Sequence, residues 1–165
     1  MCGIPKNALH DFYYRAFLCW DEPAIKATFE VVIIIPAHLT ALSNMPETES
    51  RYLPGGKKRV TFAVSPKMST YLLAWAIGEF DFVQAVTKHG VQLRVFSPPG
   101  RSAQGQFALD AGVRALDFYD DFFQVPYPLP KMDMICVTEF AMGAMEVGKE
   151  FFNSLLLQLY LILKL

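Results

Sequence analysis

The strongest constraint in this chain is a change of hydrophobic period at Ser97-Pro98-Pro99-Gly100. Before it, short apolar runs alternate with turn residues. Residues 26–35 (KATFEVVIII) are mostly β-branched or aromatic and are stopped by Pro36, which predicts a strand buried more deeply toward its end. Leu39, Ala41 and Leu42 can continue a strand up to a polar turn formed by Ser43-Asn44 and Pro46-Glu47-Thr48-Glu49-Ser50. Leu53-Pro54-Gly55-Gly56 signals another turn, and residues 57–65 alternate into a further strand. Residues 71–78, 80–86 and 91–97 repeat the pattern, with a turn at Lys88-His89-Gly90. Short strands with frequent turn punctuation predict an antiparallel β domain.

After the break the period becomes helical. Phe107, Ala111, Ala115, Phe118 and Phe122 form one row; Leu109, Gly112, Leu116, Tyr119 and Phe123 form a second. Both rows step by three or four residues, so residues 102–123 are expected to be a helix with a wide buried face. Residues 125–130 (VPYPLP) end it, and residues 131–137 (KMDMICV) read as a strand. Residues 139–146, EFAMGAME, then fall just past a strand end.

At 165 residues the chain holds one ordinary domain, or a small domain and part of another. Its 14 Phe and 7 Tyr supply enough apolar area for a core and argue against disorder. With a net charge of -1 and one short basic run, Lys57-Lys58-Arg59, expected in a solvated turn, no nucleic-acid partner is implied. Cys2, Cys19 and Cys136 are odd in number and widely spaced, against a disulfide scaffold or a cysteine zinc knuckle and in favour of a reducing compartment. The amino terminus has no apolar signal region, and Cys2 stands where myristoylation needs glycine. The apolar run Leu155–Leu163, interrupted by Gln158, falls short of the roughly 20 residues that span a bilayer, so a buried or misplaced segment is expected rather than an anchor.

Most catalytic constellations are missing. His10, His38 and His89 are isolated, and no H-E-x-x-H pair exists to hold a catalytic zinc. Gly100 and Gly105 have Walker-like spacing, but Gln106 and Phe107 stand where Lys and Ser/Thr would meet phosphate and magnesium. No G-x-S-x-G elbow is present. Asp21-Glu22 and Asp120-Asp121 are adjacent pairs, expected to be solvated at a turn or helix end. Gly143-Ala144-Met145-Glu146, read alone, is equally a small-residue strand approach with a solvated glutamate.

Larger blocks give that string a context. RAFLCWDEPAIKATFEV (15–31), LSNMPE (42–47), SPKMSTYLLAWAIGEFDFV (65–83), QGQFALDAG (104–112), VPYPLPKMDM (125–134) and EFAMGAME (139–146) occur in order. Together they resemble the zinc aminopeptidases of the aminopeptidase N and puromycin-sensitive aminopeptidase family. The resemblance runs from about Arg15 to Glu146. It implies a mainly β chain with an α+β end: a partial antiparallel β-saddle domain over 15–93, then the opening part of a thermolysin-like catalytic domain over 94–146. Residues 1–14 are an unmatched leader, and residues 147–165 a divergent apolar tail.

The resemblance also implies roles. The backbone of Gly143, Ala144 and Met145 would run along a peptide substrate, and the Glu146 carboxylate would pair with its free α-ammonium. Val147 stands where the family has Asn, and Leu18 where a Pro is usual. The family's H-E-x-x-H helix, downstream glutamate ligand and tyrosine are absent from these 165 residues. The expectation is a fragment truncated before the zinc-binding motif, with no catalytic residue, no metal ligand and no cofactor of its own. Without zinc and a general base it would be inactive alone. Peptides are the expected substrates of the intact enzyme and the cytoplasm its location. The alternatives are a non-catalytic module whose β domain binds a partner or the full-length enzyme, and a membrane-associated fragment using the tail; association through exposed apolar surface is a further expectation.

Overall fold

The computed structural model describes residues 17–20, 22–137 and 160–164, the last five and Val137 by backbone alone. The elements are β1 (Lys26–Ala27), β2 (Val32–Pro36), β3 (Thr40–Ser43), β4 (Glu47–Leu53), β5 (Lys57–Phe62), β6 (Met68–Ser69), β7 (Trp75–Gly78), β8 (Asp81–Val86) and β9 (Gln92–Ser97). Helix α1 (Gln106–Phe123), β10 (Lys131–Val137) and β11 (Tyr160–Lys164) follow. The chain is mainly β with an α+β end.

The first half is antiparallel. β2, β5 and β4 form a three-stranded sheet, and β3–β7 and β1–β6 form two-stranded pairs. Ile35, Ala41, Val60 and Phe62 make a small core behind that sheet. Gly55 and Gly56 both adopt positive φ, which lets the β4–β5 connection turn tightly.

The second half is a four-stranded mixed sheet in the order β11-β10-β9-β8. β8 and β9 are an antiparallel hairpin, whereas β9, β10 and β11 are parallel. Parallel neighbours need a crossover, and α1 provides it between β9 and β10. Leu93 and Val95 of β9 project toward α1, where they join Leu109, Leu116 and Met134 in the main core. Gly105 and Gly112 permit this close approach. A Cβ on Gly105 would sit 2.9 Å from Val95 Cγ1, and one on Gly112 would sit 2.6 Å from Met134 Cε. The alternate residues of β9, Gln92, Arg94 and Phe96, line the cleft on the opposite face.

Several expectations need correction. Residues 26–35 are two strands, because residues 29 and 31 bond instead to Ser65 and Phe62. Residues 47–50 are not a turn but the start of β4. Their polar side chains are exposed on an edge strand whose backbone is paired with β5. The basic run Lys57–Arg59 opens β5 rather than lying in a turn. Residues 70–72 form a 3₁₀ turn before β7. The helix buries a narrow stripe, not a wide face: Phe107, Phe118, Tyr119, Phe122 and Phe123 are exposed, and residues 118, 119, 122 and 123 form an aromatic group of stacked and edge-to-face rings. One sheet face can cover only one side of a helix, and among the described residues no second layer lies over the other.

Residues 160–164 pair in register with residues 133–137 and cover one edge of β10. Among the described residues, no helix is long and apolar enough to cross a membrane. A division at residue 93/94 falls within β9, which pairs with β8 on one side and β10 on the other.

Candidate functional site

Gly143, Ala144, Met145 and Glu146, with Glu139, lie outside the described residues. β10 is the last described element before them in sequence, so the frame available for reading the site is the sheet that holds β10. That frame is built around charge. Arg94 on β9 and Asp133 on β10 are register partners. The guanidinium donates from Nε to Asp133 Oδ1 and from Nη2 to Oδ2, each at 2.7 Å. Such a bidentate pair fixes orientation as well as distance. Lys131, two residues earlier on the same strand, donates from Nζ to Asp133 Oδ2 and, at 2.8 Å, to the Ser43 carbonyl oxygen.

The trio joins the two halves of the chain, because Ser43 ends β3. The β3 end is itself locked. Ser43 Oγ donates to the Ala74 carbonyl, Asn44 Nδ2 donates to the Leu72 carbonyl, and the Ala74 N–H donates to Asn44 Oδ1. Asp133 has no exposed surface and Lys131 very little. Burial holds the Lys131 ammonium below its ordinary range; Asp133 opposes that shift and the Arg94 charge adds to it. A cleft of about 250 Å³ opens over the trio, walled by Phe62, Phe82 and Phe96, with Met45 and Glu47 also lining it.

Two other polar groupings lie around the end of α1. Asp120 is buried, not solvated: its Oδ1 accepts the Tyr127 N–H at 2.9 Å and closes the turn after α1. Asp121 is exposed and pairs with Lys88, and its Oδ1 lies 3.8 Å from His89 Nε2. The Lys88 hydrogen bond holds the Asp121 carboxyl below its ordinary range. Glu22 Oε1 accepts the Ala24 N–H in an exposed turn. At the Walker-like stretch, the Gly100 N–H donates to Asp81 Oδ2 at 2.6 Å, so a carboxylate already occupies the position a phosphate would need.

A metal does not fit the described residues. His38 and His89 lie in separate exposed turns, and among the described residues no three His, Cys, Asp or Glu side chains converge. The Cys136 thiol is buried and pushed up by that burial, which suits a core residue rather than a thiolate ligand. The charged trio went unnoticed in the sequence. Its signal was there: Arg94 and Lys131-x-Asp133 interrupt runs of Val, Leu, Ile and Met, and charges at such positions are buried and paired.

An antiparallel β domain tied by buried charges to the first βαβ crossover of a mixed sheet defines a two-part architecture, and sequence comparison supplies its family. The Peptidase M1 N-terminal domain matches residues 11–72 and the Peptidase family M1 domain matches residues 107–159. The chain belongs to the M1 peptidase family. It is 52% identical to the puromycin-sensitive aminopeptidase of Caenorhabditis elegans over 132 residues, covering 79% of this chain and 14% of that protein. Aminopeptidase M1 of Arabidopsis thaliana is 51% identical, with 80% and 15% covered. Human endoplasmic reticulum aminopeptidase 1 is 47% identical, with 79% and 14% covered. The chain therefore spans about one-seventh of the length of these relatives. M1 aminopeptidases are zinc enzymes.

Proposed function

We propose that this chain is the peptide-end-holding part of a zinc metalloaminopeptidase that removes amino-terminal residues from peptides in the cytoplasm. The observation that carries the reading is the 52% identity over 132 residues to a puromycin-sensitive aminopeptidase, together with Gly143-Ala144-Met145-Glu146 directly after the β10 region. In this reading the Glu146 carboxylate takes the substrate's α-ammonium, a charge-assisted bond that an internal amide cannot make. Gly143, Ala144 and Met145 offer backbone to the peptide as an added strand. The Arg94–Asp133–Lys131 trio fixes β10, the strand from which that segment continues. Binding an amine end does not by itself stabilise a transition state. These 165 residues contain no H-E-x-x-H, so the chain alone carries neither zinc site nor general base and is inactive by itself.

The test has two parts. The purified chain should hold no stoichiometric zinc and should not hydrolyse an aminoacyl-arylamide; zinc-dependent turnover would overturn the claim of inactivity. A chimera carrying residues 15–146 in place of the matching segment of the Caenorhabditis elegans relative should hydrolyse that substrate. Glu146→Gln in the chimera should then raise KM and lower kcat/KM by at least about tenfold, the worth of roughly one charge-assisted bond. Unchanged kinetics would remove Glu146 from its role.

A second reading, a non-catalytic module that associates through apolar surface, rests on the exposed Phe107, Phe118 and Phe122 of α1. Sedimentation of the purified chain as a monomer at all concentrations would count against it.

A further inference from the structure

The sheet face opposite α1 leaves a charge unbalanced. Arg94 and Lys131 are two cations, and among the described residues Asp133 is the one carboxylate within 4.0 Å of either. An uncompensated charge in a largely desolvated site is costly, and a second anion would relieve that cost. Arg94 is placed to receive one. Its Nε and Nη2 are committed to Asp133, which leaves Nη1 with no partner among the described residues. Its side chain keeps 22% of its exposure and lines the cleft, lying over the Phe96 ring at 5.0 Å.

The cleft is not simply an ion hole. Phe62 and Phe82 also line it, so an occupant meets apolar wall beside the guanidinium. A volume of about 250 Å³ suits a molecule the size of one large amino acid rather than a peptide. Glu47, exposed at the start of β4, lines the same cleft but forms no ion pair with the trio. It lends negative potential to the opening and so competes with an incoming anion.

We propose that this cleft binds a small carboxylate bearing an apolar group, with the carboxylate on Arg94 and the apolar group against Phe62 and Phe82. A plain inorganic anion would use the charge but not the walls. A neutral apolar molecule would use the walls but leave the charge unbalanced. The residues of this site differ from those assigned to the peptide amine, and the two sets carry opposite charge.

Calorimetric titration of the full chain at fixed salt tests the proposal with 3-phenylpropionate, 3-phenylpropionamide and inorganic sulfate. The carboxylate should bind at least about tenfold more tightly than either the amide or sulfate, a difference worth about 1.4 kcal/mol. Glu47→Gln, an exposed substitution that leaves the packing alone, should tighten the carboxylate a few-fold and leave the amide unchanged. Arg94→Gln should erase the preference for carboxylate over amide. Where that variant fails to fold, the Glu47→Gln result decides. Equal binding of acid and amide, sulfate binding as tightly as 3-phenylpropionate, no binding at all, or an unchanged affinity in Glu47→Gln would each overturn the proposal.

Discussion

The two faces of the four-stranded sheet are made from the same strands, but one is purely apolar and the other adds a buried charge network to a small apolar cluster. Toward α1, Leu93 and Val95 are fully buried and meet Leu109, Leu116 and Met134, with Gly105 and Gly112 drawing the helix in. Toward β3, the intervening residues Arg94, Lys131 and Asp133 form a buried network with the Ser43 carbonyl. An apolar face loses stability in proportion to the surface and packing removed. A buried charge network fails when one member is lost, because the others stay behind unpaired. The chain attaches its helix through the graded face, and toward β3 it sets the all-or-none network beside a small apolar cluster of Leu42, Phe96 and Ile135.

The largest expected effect therefore lies on the charged face. Asp133→Ala strands two cations and should lower unfolding stability by about 3–5 kcal/mol, read as a shift of the urea midpoint. Replacing Arg94, Lys131 and Asp133 together by apolar residues of similar size should cost much less than Asp133→Ala alone. If both variants lose the same stability, the network is held by packing and the distinction between faces collapses. On the apolar face, Leu93→Ala removes a side chain with no exposed surface and should cost about 3 kcal/mol through lost burial and cavity formation. Leu93→Met should recover most of that, since a volume-conserving swap keeps the face filled. A failure of Met to rescue would mean that this face too depends on a unique fit.

Much of the fold was legible because periodicity is a local signal. The strand at residues 131–137, the turn at Gly55-Gly56 and the helix ending near Phe123 follow from residue spacing, and the family blocks add the order of the domains. What misled was exposure. Residues 47–50 look like a turn because they are polar, yet an edge strand needs apolar residues on neither side if both are solvated. The Phe118–Phe123 aromatics look like a core, yet the sheet reaches only the stripe through Gly105, Leu109, Gly112 and Leu116. Sequence also missed the charged trio, because pairing between Arg94 and Asp133 is a tertiary fact. The assignment of residues 143–146 to a peptide end rests on resemblance alone, and those residues lie outside the described structure. The apolar tail read as a buried or misplaced segment; the backbone of its residues 160–164 is the strand beside β10.

The smallest expected effect lies at the seam between the faces. Tyr127 packs in the apolar core, and burial together with the Asp133 charge holds its phenol well above the ordinary value of 10.0. Its hydroxyl is buried with no hydrogen-bond partner among the described residues. Removing such a group leaves the apolar contacts in place, so Tyr127→Phe should change stability near neutral pH by no more than about 1 kcal/mol, toward stabilisation. The pH dependence is the sharper test. Above the ordinary phenol value the unfolded chain releases the proton while the folded chain keeps it, so the folded state binds more protons and stability falls as pH rises. Lys131 works in the other direction, since its folded-state value is lowered, but it is present in both proteins and cancels in their difference. Urea midpoints measured from about pH 9 to about pH 11 should show the natural chain falling relative to Tyr127→Phe. Parallel curves would mean that the phenol ionises as freely in the folded chain as in the unfolded one. Neither the burial of the phenol nor the Asp133 charge would then hold its proton in the folded chain.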